Sequence, residues 1–269
     1  MQKRCQKRRI FVLFFVFLTG FFPSAAPADT FYGDLPTGLL ELQDYKYPVY
    51  LYVPTNYQPD RDYPLLISVP GEGESPEKNI EFWVGLAKRQ SMLVLVPTNI
   101  WPQDTPDRVD KWLIRVKEDV RNRYRISPVK TYLIGKEGGA HYAAYLGVQY
   151  PEEFSAVAAL GGSWVGKFDK LIRLQSKARK QLPFFIAFKP EQGDLRERTE
   201  ERAYEFEKKG YPVYLQTLEE GQDFSSDSFK RQMVKWLEEK SSAWRDAVEE
   251  SKKPLKEKFI LAVEEFFKV

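Results

Sequence analysis

The chain has 269 residues, and its 41 lysines and arginines nearly balance 38 aspartates and glutamates, for a formal net charge of +3. This balance does not indicate a nucleic acid or an anionic membrane surface as a partner. Cys5 is the only cysteine and His141 the only histidine, which excludes an internal disulfide and the usual zinc and copper shells. We expect no metal and no cofactor.

The N-terminus has the parts of a secretory signal peptide. Five basic residues between positions 3 and 9 precede an apolar run over residues 10–18, and Ala26-Pro27-Ala28 before Asp29 fits the small-x-small pattern of a cleavage site. We predict a signal peptide over residues 1–28 and a periplasmic or extracellular protein with no stable membrane span after cleavage. An uncleaved anchor is the alternative, although the apolar run is shorter than the ~20 residues that cross a bilayer. Cleavage would leave the mature chain slightly acidic.

Apolar runs of strand length alternate with longer amphipathic stretches along the rest of the chain. The runs predict seven buried strands: residues 47–53, 64–69, 92–96, 130–134, 156–160, 184–188 and 212–218. The stretches between them predict five helices: residues 77–90, 107–124, 139–149, 196–209 and 226–239. The alternation predicts an α/β domain over residues 29–240, with a mostly parallel sheet flanked by helices.

The last segment, residues 241–269, differs in composition from the predicted domain. Acids and bases alternate there with apolar and aromatic residues, namely Trp244, Leu255, Phe259, Ile260, Val263, Phe266 and Phe267. This pattern predicts a C-terminal helical extension whose apolar side packs on the domain. Docking to a partner or a membrane surface is the alternative.

Several segments carry a resemblance to a known family. Residues 132–151 read YLIGKEGGAHYAAYLGVQYP and residues 152–162 read EEFSAVAALGG, while residues 52–57 read YVPTNY and residues 125–130 read RISPVK. In this order they resemble the early strands, nucleophile elbow and following helix of α/β-hydrolases, in particular secreted polyhydroxybutyrate-depolymerase-like and feruloyl-esterase-like esterases. The resemblance implies the α/β-hydrolase fold over roughly residues 45–240.

The nucleophile and the base of such esterases are replaced. In these enzymes a Gly-x-Ser-x-Gly turn lifts the catalytic serine out of the sheet, and here the turn reads GKEGG over residues 135–139. Glu137 therefore stands at the nucleophile position. The resemblance places Gln222 at the position of the catalytic histidine, and an amide does not cycle a proton near neutral pH.

The resemblance also indicates positions for the acid and the oxyanion hole. Asp194, in the loop expected after the strand 184–188, is the best match for the triad acid. Gly71, Glu72 and Gly138 mark the former oxyanion-hole region. Backbone amides persist there, but a carboxylate at Glu72 would disfavour a developing anion.

Other chemistries are compatible with individual residues. Glu137 is a candidate carboxylate nucleophile, but that mechanism needs a histidine to activate water. His141 follows four residues later, one helical turn along the same side, where it is expected to be a packing or surface residue. Ser163 is an alternative hydroxyl, with an ordinary turn as the favoured interpretation. A calcium site from Glu72, Glu74 and Glu137 is conceivable, with solvated loop acids favoured.

The sequence thus predicts an exported pseudoenzyme: a catalytically inactive hydrolase-like protein that binds a ligand or partner in the former substrate cleft. The acids at Glu72 and Glu137 favour a cationic or hydroxyl-rich ligand. Two alternatives remain open. One is a carboxylic or glycan ester hydrolase with a rewired site that uses Glu137. The other is a structural envelope protein that acts through its surface and C-terminal helix.

Overall fold

A central sheet of eight strands organises the part of the chain that the computed structural model describes, namely residues 35–98, 106–174 and 181–252, with side chains to residue 243. In chain order the strands are β1 (Gly38–Leu42), β2 (Val49–Val53), β3 (Tyr63–Val69), β4 (Leu93–Pro97), β5 (Ile126–Lys136), β6 (Ala156–Leu160), β7 (Phe184–Phe188) and β8 (Val213–Thr217). Their order across the sheet is β1-β2-β4-β3-β5-β6-β7-β8. β2 is antiparallel to both of its neighbours, and the remaining pairs are parallel.

Five α-helices connect and cover the strands. They are α1 (Pro76–Gln90), α2 (Pro106–Arg123), α3 (Gly138–Gln149), α4 (Gly193–Lys208) and α5 (Asp227–Lys252), with short 3-10 turns at Pro151–Glu153 and Asp169–Leu171. The seven predicted strands and five predicted helices are all present. Their ends lie within about four residues of the prediction except at α5, which runs to Lys252 rather than to residue 239. The mostly parallel sheet flanked by helices confirms the predicted fold class.

Strand β1 was not predicted. It pairs with β2 from Gly38 opposite Val53 to Leu42 opposite Val49, and it lies at the edge of the sheet. Only one side of β1 is partly covered, and Leu39 is 53% exposed. An edge strand of this kind lacks the continuous apolar run that identifies a buried strand.

Alternate residues of each strand face opposite layers, as the two-residue period of a strand requires. Leu65, Ile67 and Leu133 pack into the cluster that contains the apolar faces of α2, α3 and α4. Leu66 and Ile134 pack into the cluster of α1 and α5. The core therefore lies on both faces of the sheet, and the loops at the carboxyl ends of the parallel strands remain at one edge.

A buried carboxylate joins α2 to α3. Asp110 is fully buried and accepts hydrogen bonds from the hydroxyls of Tyr142 at 2.7 Å and Tyr145 at 2.9 Å. Burial raises the pKa of Asp110, and the two tyrosine hydrogen bonds oppose that shift. The contact fixes the helix that follows the GKEGG turn.

Replacing Asp110 by alanine is expected to lower the free energy of unfolding by about 3 kcal/mol, because two buried hydroxyls lose their acceptor. Urea unfolding measures this change. Asp107→Ala is the matched control, since Asp107 is exposed on the same helix and its pair with Lys111 is solvated, so a change below about 0.5 kcal/mol is expected. Equal effects of the two substitutions would contradict this account.

Several predictions concern the ends of the chain. The predicted signal peptide and the apolar residues of the predicted C-terminal extension, from Trp244 onwards, lie outside the residues whose side chains are described. Helix α5 continues without a break across the predicted domain boundary at residue 240 and reaches Lys252. No helix within the described ranges is long and apolar enough to cross a membrane.

Candidate functional site

The chain turns sharply between β5 and α3, and Glu137 stands at that corner. Its backbone has φ 48° and ψ −117°, a region that residues with a side chain rarely occupy. A Cβ on Gly135 would lie 2.2 Å from the carbonyl oxygen of Gly139, and a Cβ on Gly139 would lie 2.4 Å from that of Pro70. The glycines therefore permit the close approach of strand, helix and loop that forms the corner.

The carboxylate at the corner has a cationic partner. The side chain of Glu137 is 59% exposed, and its Oε1 accepts a hydrogen bond from Nζ of Lys189 at 3.3 Å. Lys189 directly follows β7. Gly71 lies beside the same carboxylate, since a Cβ there would be 3.7 Å from Oε2 of Glu137. An anionic group paired with an ammonium thus occupies the corner, at the residue that the sequence resemblance assigned to the nucleophile position.

Replacing Glu137 by glycine is expected to raise the free energy of unfolding by about 1 kcal/mol, because glycine accepts a positive φ without strain. The exposed pair with Lys189 opposes this gain only weakly. Ser91→Gly is the matched control, since Ser91 is the other described non-glycine residue with a positive φ, also 48°. A gain for Ser91→Gly but a loss for Glu137→Gly in urea unfolding would contradict this account.

The loop after β3 places a second carboxylate beside the corner. Oε2 of Glu74 accepts from the backbone N–H of Gly71 at 3.0 Å and from Nδ2 of Asn79 at 2.9 Å, while Oε1 accepts from Nζ of Lys136 at 2.7 Å. Burial opposes ionisation of Glu74, but these three hydrogen bonds outweigh it and hold the pKa of the carboxyl below its usual value. The amide of Gly71 is therefore already engaged within the protein.

The other two residues expected in the oxyanion-hole region lie close by in the chain. Glu72 is exposed in the loop between Gly71 and Glu74. Gly138 is the first residue of α3 and directly follows the corner. The region thus contains the start of α3, whose N-cap Glu137 makes no side-chain capping bond, and a loop amide that is bound to a carboxylate.

Gln222, which the sequence resemblance assigned to the position of the base, forms hydrogen bonds within its own turn. Gln222 lies after β8, where its Nε2 donates to Oε2 of Glu219 at 2.8 Å. Its Oε1 accepts from the Glu219 amide at 3.3 Å. Gln222 is exposed. Its side chain therefore stabilises the turn, and its recorded hydrogen bonds do not connect it to the Glu137 corner.

The predicted acid does not lie in a loop. Asp194 is the second residue of α4 and is exposed, because the helix begins at Gly193, three residues before the predicted start. The side chain of Gln192, two residues before Asp194, bonds to the backbone of two loops. Oε1 of Gln192 accepts from the amide of Lys189 at 2.9 Å, and Nε2 donates to the carbonyl of Gly161 at 3.0 Å.

Comparison with known proteins gives structural likeness only. No family model matches the chain, and no curated protein matches it by sequence. The poly(3-hydroxybutyrate) depolymerase LpqC from Bordetella parapertussis matches in structure with a TM-score of 0.55, at 18% identity over 79% of this chain and 90% of that one. Est1E from Butyrivibrio proteoclasticus matches with a TM-score of 0.54, at 14% identity over 78% of this chain and 100% of its own.

A thermostable esterase also matches, with a TM-score of 0.55 and 18% identity. The match covers 75% of this chain and spans only 62% of the length of that esterase. The chain has the α/β-hydrolase fold. Identities this low establish the fold and do not transfer an activity, because one fold supports many functions. Whether this α/β-hydrolase fold retains chemistry therefore depends on its own residues.

The only histidine of the chain is held by a loop of the α/β-hydrolase fold. Nδ1 of His141 lies 2.9 Å from the carbonyl oxygen and 3.3 Å from the amide nitrogen of Ser163. A Cβ on Gly166 would lie 2.7 Å from the same Nδ1. Burial lowers the pKa of His141, and the charge of Arg198 lowers it further. The bond to the Ser163 backbone acts in the opposite direction. His141 thus acts as a neutral packing group.

Ser163 is also committed to structure. The residue is 1% exposed, and its Oγ lies 2.7 Å from Oγ1 of Thr199 and accepts from the amide of Val165 at 3.1 Å. The hydroxyl therefore joins the loop after β6 to α4. Its partners are a hydroxyl and an amide, neither of which is a general base.

The carboxylates around the corner do not gather into a metal site. Within the described ranges, no three histidine, cysteine, aspartate or glutamate side chains come close enough together to hold a metal ion. Glu74 and Glu137, two of the three conceivable calcium ligands, each pair with a lysine. The calcium alternative gains no support from these contacts.

Three polar residues near the corner were absent from the sequence interpretation. Lys136, Lys189 and Gln192 supply contacts to the carboxylates and to the loops. Lys136 precedes Glu137 and Lys189 follows a buried strand, so their positions at strand ends were an available signal for this edge of the sheet. The groups that these three side chains contact lie in loops that are distant in sequence, so sequence alone did not identify the contacts.

Proposed function

We propose that this chain is an exported protein with an α/β-hydrolase fold that does not cleave esters and that binds a ligand or partner at its former substrate site. The observation that carries the proposal is the corner itself. Glu137 occupies the strained nucleophile position, and its carboxylate is paired with Lys189 at 3.3 Å. A scaffold that keeps the corner and replaces the nucleophile retains a site for a ligand but lacks the hydroxyl that attacks an ester.

Proton transfer supports the same conclusion. Ester cleavage on this fold needs a base that takes a proton from the nucleophile or from water. Gln222 bonds to Glu219 in its own turn, and His141 bonds to the backbone of Ser163. Since His141 is the only histidine in the sequence, no imidazole remains to serve the corner.

Electrostatics also disfavour ester chemistry. A tetrahedral intermediate needs hydrogen-bond donors that are free to meet its negative oxygen. The amide of Gly71 already donates to Glu74 at 3.0 Å, and a carboxylate there repels a developing anion. The site is therefore better suited to hold a ligand than to stabilise this transition state.

Export is the part of the proposal that rests on sequence. The basic residues, apolar run and Ala26-Pro27-Ala28 motif support cleavage before Asp29. N-terminal sequencing of protein recovered from the periplasm or the medium is expected to begin at Asp29. Recovery of an uncleaved, membrane-bound chain would contradict export as a free protein.

A carboxylic ester hydrolase that uses Glu137 as nucleophile is the second candidate. It is favoured by the large exposure of the Glu137 side chain, 59%, at the corner of a fold shared with esterases. In that mechanism the carboxylate would attack the ester carbonyl and form a mixed anhydride as the C–O bond to the alcohol breaks and the alcohol leaves. Water would then cleave the anhydride, releasing the acid and the free Glu137 carboxylate.

Steady-state hydrolysis of a short-chain aryl ester and a feruloyl ester separates the two candidates. The proposal predicts that the purified protein, Glu137→Gln and Ser163→Ala all give the background rate. Turnover by the wild-type protein that Glu137→Gln abolishes would establish the second candidate. Turnover lost in Ser163→Ala would identify a different nucleophile and would also overturn the proposal.

A further inference from the structure

Glu74 sits in a cradle of three donors that come from three different elements. The loop supplies the amide of Gly71, α1 supplies Nδ2 of Asn79, and β5 supplies Nζ of Lys136. The distances are 3.0, 2.9 and 2.7 Å, and both carboxylate oxygens are used. Charge-assisted bonds of this length are the strong ones in proteins. The geometry matches a carboxylate in general rather than a glutamate of this chain in particular.

A series of buried hydrogen bonds orients Asn79, one of the three donors of the cradle. Asn79, Ser68 and Trp83 are all fully buried. Oγ of Ser68 donates to Oδ1 of Asn79 at 2.6 Å, and Nε1 of Trp83 donates to Oγ of Ser68 at 2.7 Å. This order of donors leaves Nδ2 of Asn79 directed at the cradle. The bonds from Ser68 to Asn79 and from Trp83 to Ser68 do not involve Glu74, so they hold the Asn79 amide in place when Glu74 leaves the cradle.

The ammonium of Lys136, the second side-chain donor of the cradle, also has a contact that does not involve Glu74. Nζ of Lys136 lies 4.4 Å from the centroid of the Phe82 ring, a cation–π contact that places its charge. The side chain of Lys136 is 17% exposed. The contact with Phe82 and the low exposure of the side chain therefore keep the ammonium near the cradle without a bond to Glu74.

The residue that fills the cradle comes from a surface turn. Glu74 lies between Gly73, which has a φ of +76° and open space around its Cβ position, and Ser75, the N-cap of α1. The turn is closed by a bond from the Glu74 amide to the Gly71 carbonyl at 3.2 Å. Rotation of the Glu74 side chain into solvent therefore does not require the sheet or α1 to move.

We propose that the cradle of Gly71, Asn79 and Lys136 is a binding site for the carboxylate of a ligand, which Glu74 fills in the free protein and which a ligand enters by displacing Glu74. This inference rests on the proposed function and names the ligand class as carboxylic acids. It adds an anion-binding subsite to the preference for cationic or hydroxyl groups expected at Glu137. A ligand with a carboxylate at one end and a donor group at the other fits both.

Glu74 competes with such a ligand from within the chain. The apparent affinity of a ligand falls in proportion to the fraction of molecules whose site is open. With Glu74 in the cradle in about nine-tenths or more of the molecules, removal of Glu74 is expected to tighten carboxylate binding at least about tenfold. The probe is sodium acetate, with sodium chloride at equal ionic strength as the reference. The readout is the acetate-dependent rise of the thermal unfolding midpoint of the full chain.

The expected order of acetate affinity is Glu74→Ala first, then Glu74→Gln, then the wild-type protein. Glu74→Gln keeps a side chain in the cradle without its charge, and it replaces Glu74→Ala as the decisive variant if the alanine protein does not fold. Glu81→Ala is the matched control and is expected to behave as wild type, since Glu81 is exposed on α1 and is not one of the cradle residues. Adding Lys136→Met to the decisive variant is expected to abolish the acetate response.

The proposal is overturned if acetate stabilises the decisive variant no more than chloride does, or if the Lys136→Met substitution leaves the response unchanged. Ester turnover by the wild-type protein would overturn the proposed function instead. The two failures are distinguishable, because acetate binding is measured without a reaction.

Discussion

Gly139→Ala is expected to lower the free energy of unfolding by more than about 3 kcal/mol, which places it among the most damaging single substitutions in the described part of the chain. The added Cβ would lie 2.4 Å from the carbonyl oxygen of Pro70 and 2.5 Å from that of Val69. Both atoms belong to the backbone beside β3, so neither moves without disrupting the sheet. Urea unfolding measures the loss. Gly135→Ala is expected to be at least as damaging, with its Cβ 2.2 Å from Gly139 O.

Gly85→Ala provides the control for this prediction. Gly85 lies on the exposed side of α1, and the nearest atoms to an added Cβ belong to the Arg89 guanidinium at 3.7 Å. Alanine in a helix interior is favoured over glycine by up to about 1 kcal/mol, so this variant is expected to gain stability. A Gly139→Ala protein within about 1 kcal/mol of wild type would show that the corner is looser than the structure indicates.

The triple variant Glu137→Ser, Gln222→His and Glu74→Ala is expected to hydrolyse a short-chain aryl ester at least about a hundredfold faster than the wild-type protein. The first substitution places a hydroxyl at the corner, and the second places a proton carrier after β8. The third frees the amide of Gly71 from its 3.0 Å bond to Glu74. Initial rates under saturating ester measure the gain.

The double variant that keeps Glu74 tests the third step separately. One oxyanion-hole donor contributes roughly a hundredfold to the rate, so Glu137→Ser with Gln222→His alone is expected to gain far less than the triple variant. Equal rates for the two would show that Glu74 does not block the amide. A triple variant that folds and stays at background would show that these three changes are not sufficient for ester cleavage on this scaffold.

Much of the fold follows from local sequence patterns. Buried parallel strands such as Leu93–Pro97 and Phe184–Phe188 are continuous apolar runs, and the helices between them have a clear apolar side. Strand β1 escaped prediction because an edge strand is covered on one side only. The start of α4 was misplaced because Gly193 and Asp194 favour a loop locally, whereas here they open the helix.

The candidate site was only partly accessible from sequence. The corner at Glu137 is local, since the glycines that permit it lie within residues 135–139, and sequence reasoning identified it. The cradle around Glu74 is not local. Its donors lie in the loop after β3, in α1 and at the end of β5, and the strand order that brings β3 beside β5 is a property of the whole sheet.

The lysine partners of the acids also affect which ligand charge is expected at the site. From sequence, Glu72 and Glu137 indicated an acidic site that favours cations. In the structure Glu74 pairs with Lys136 and Glu137 pairs with Lys189, which makes the local charge nearly balanced. A balanced site accepts a carboxylate where the lysine and amide donors converge.

The most direct test of the central claim is a pre-steady-state burst experiment with a chromogenic aryl ester. A burst reports transfer of the acyl group to any nucleophile of the protein, even when later turnover is slow. The account predicts no burst above background for the wild-type protein. A burst that approaches one equivalent per chain and disappears in Glu137→Gln would contradict it and would establish Glu137 as a working nucleophile.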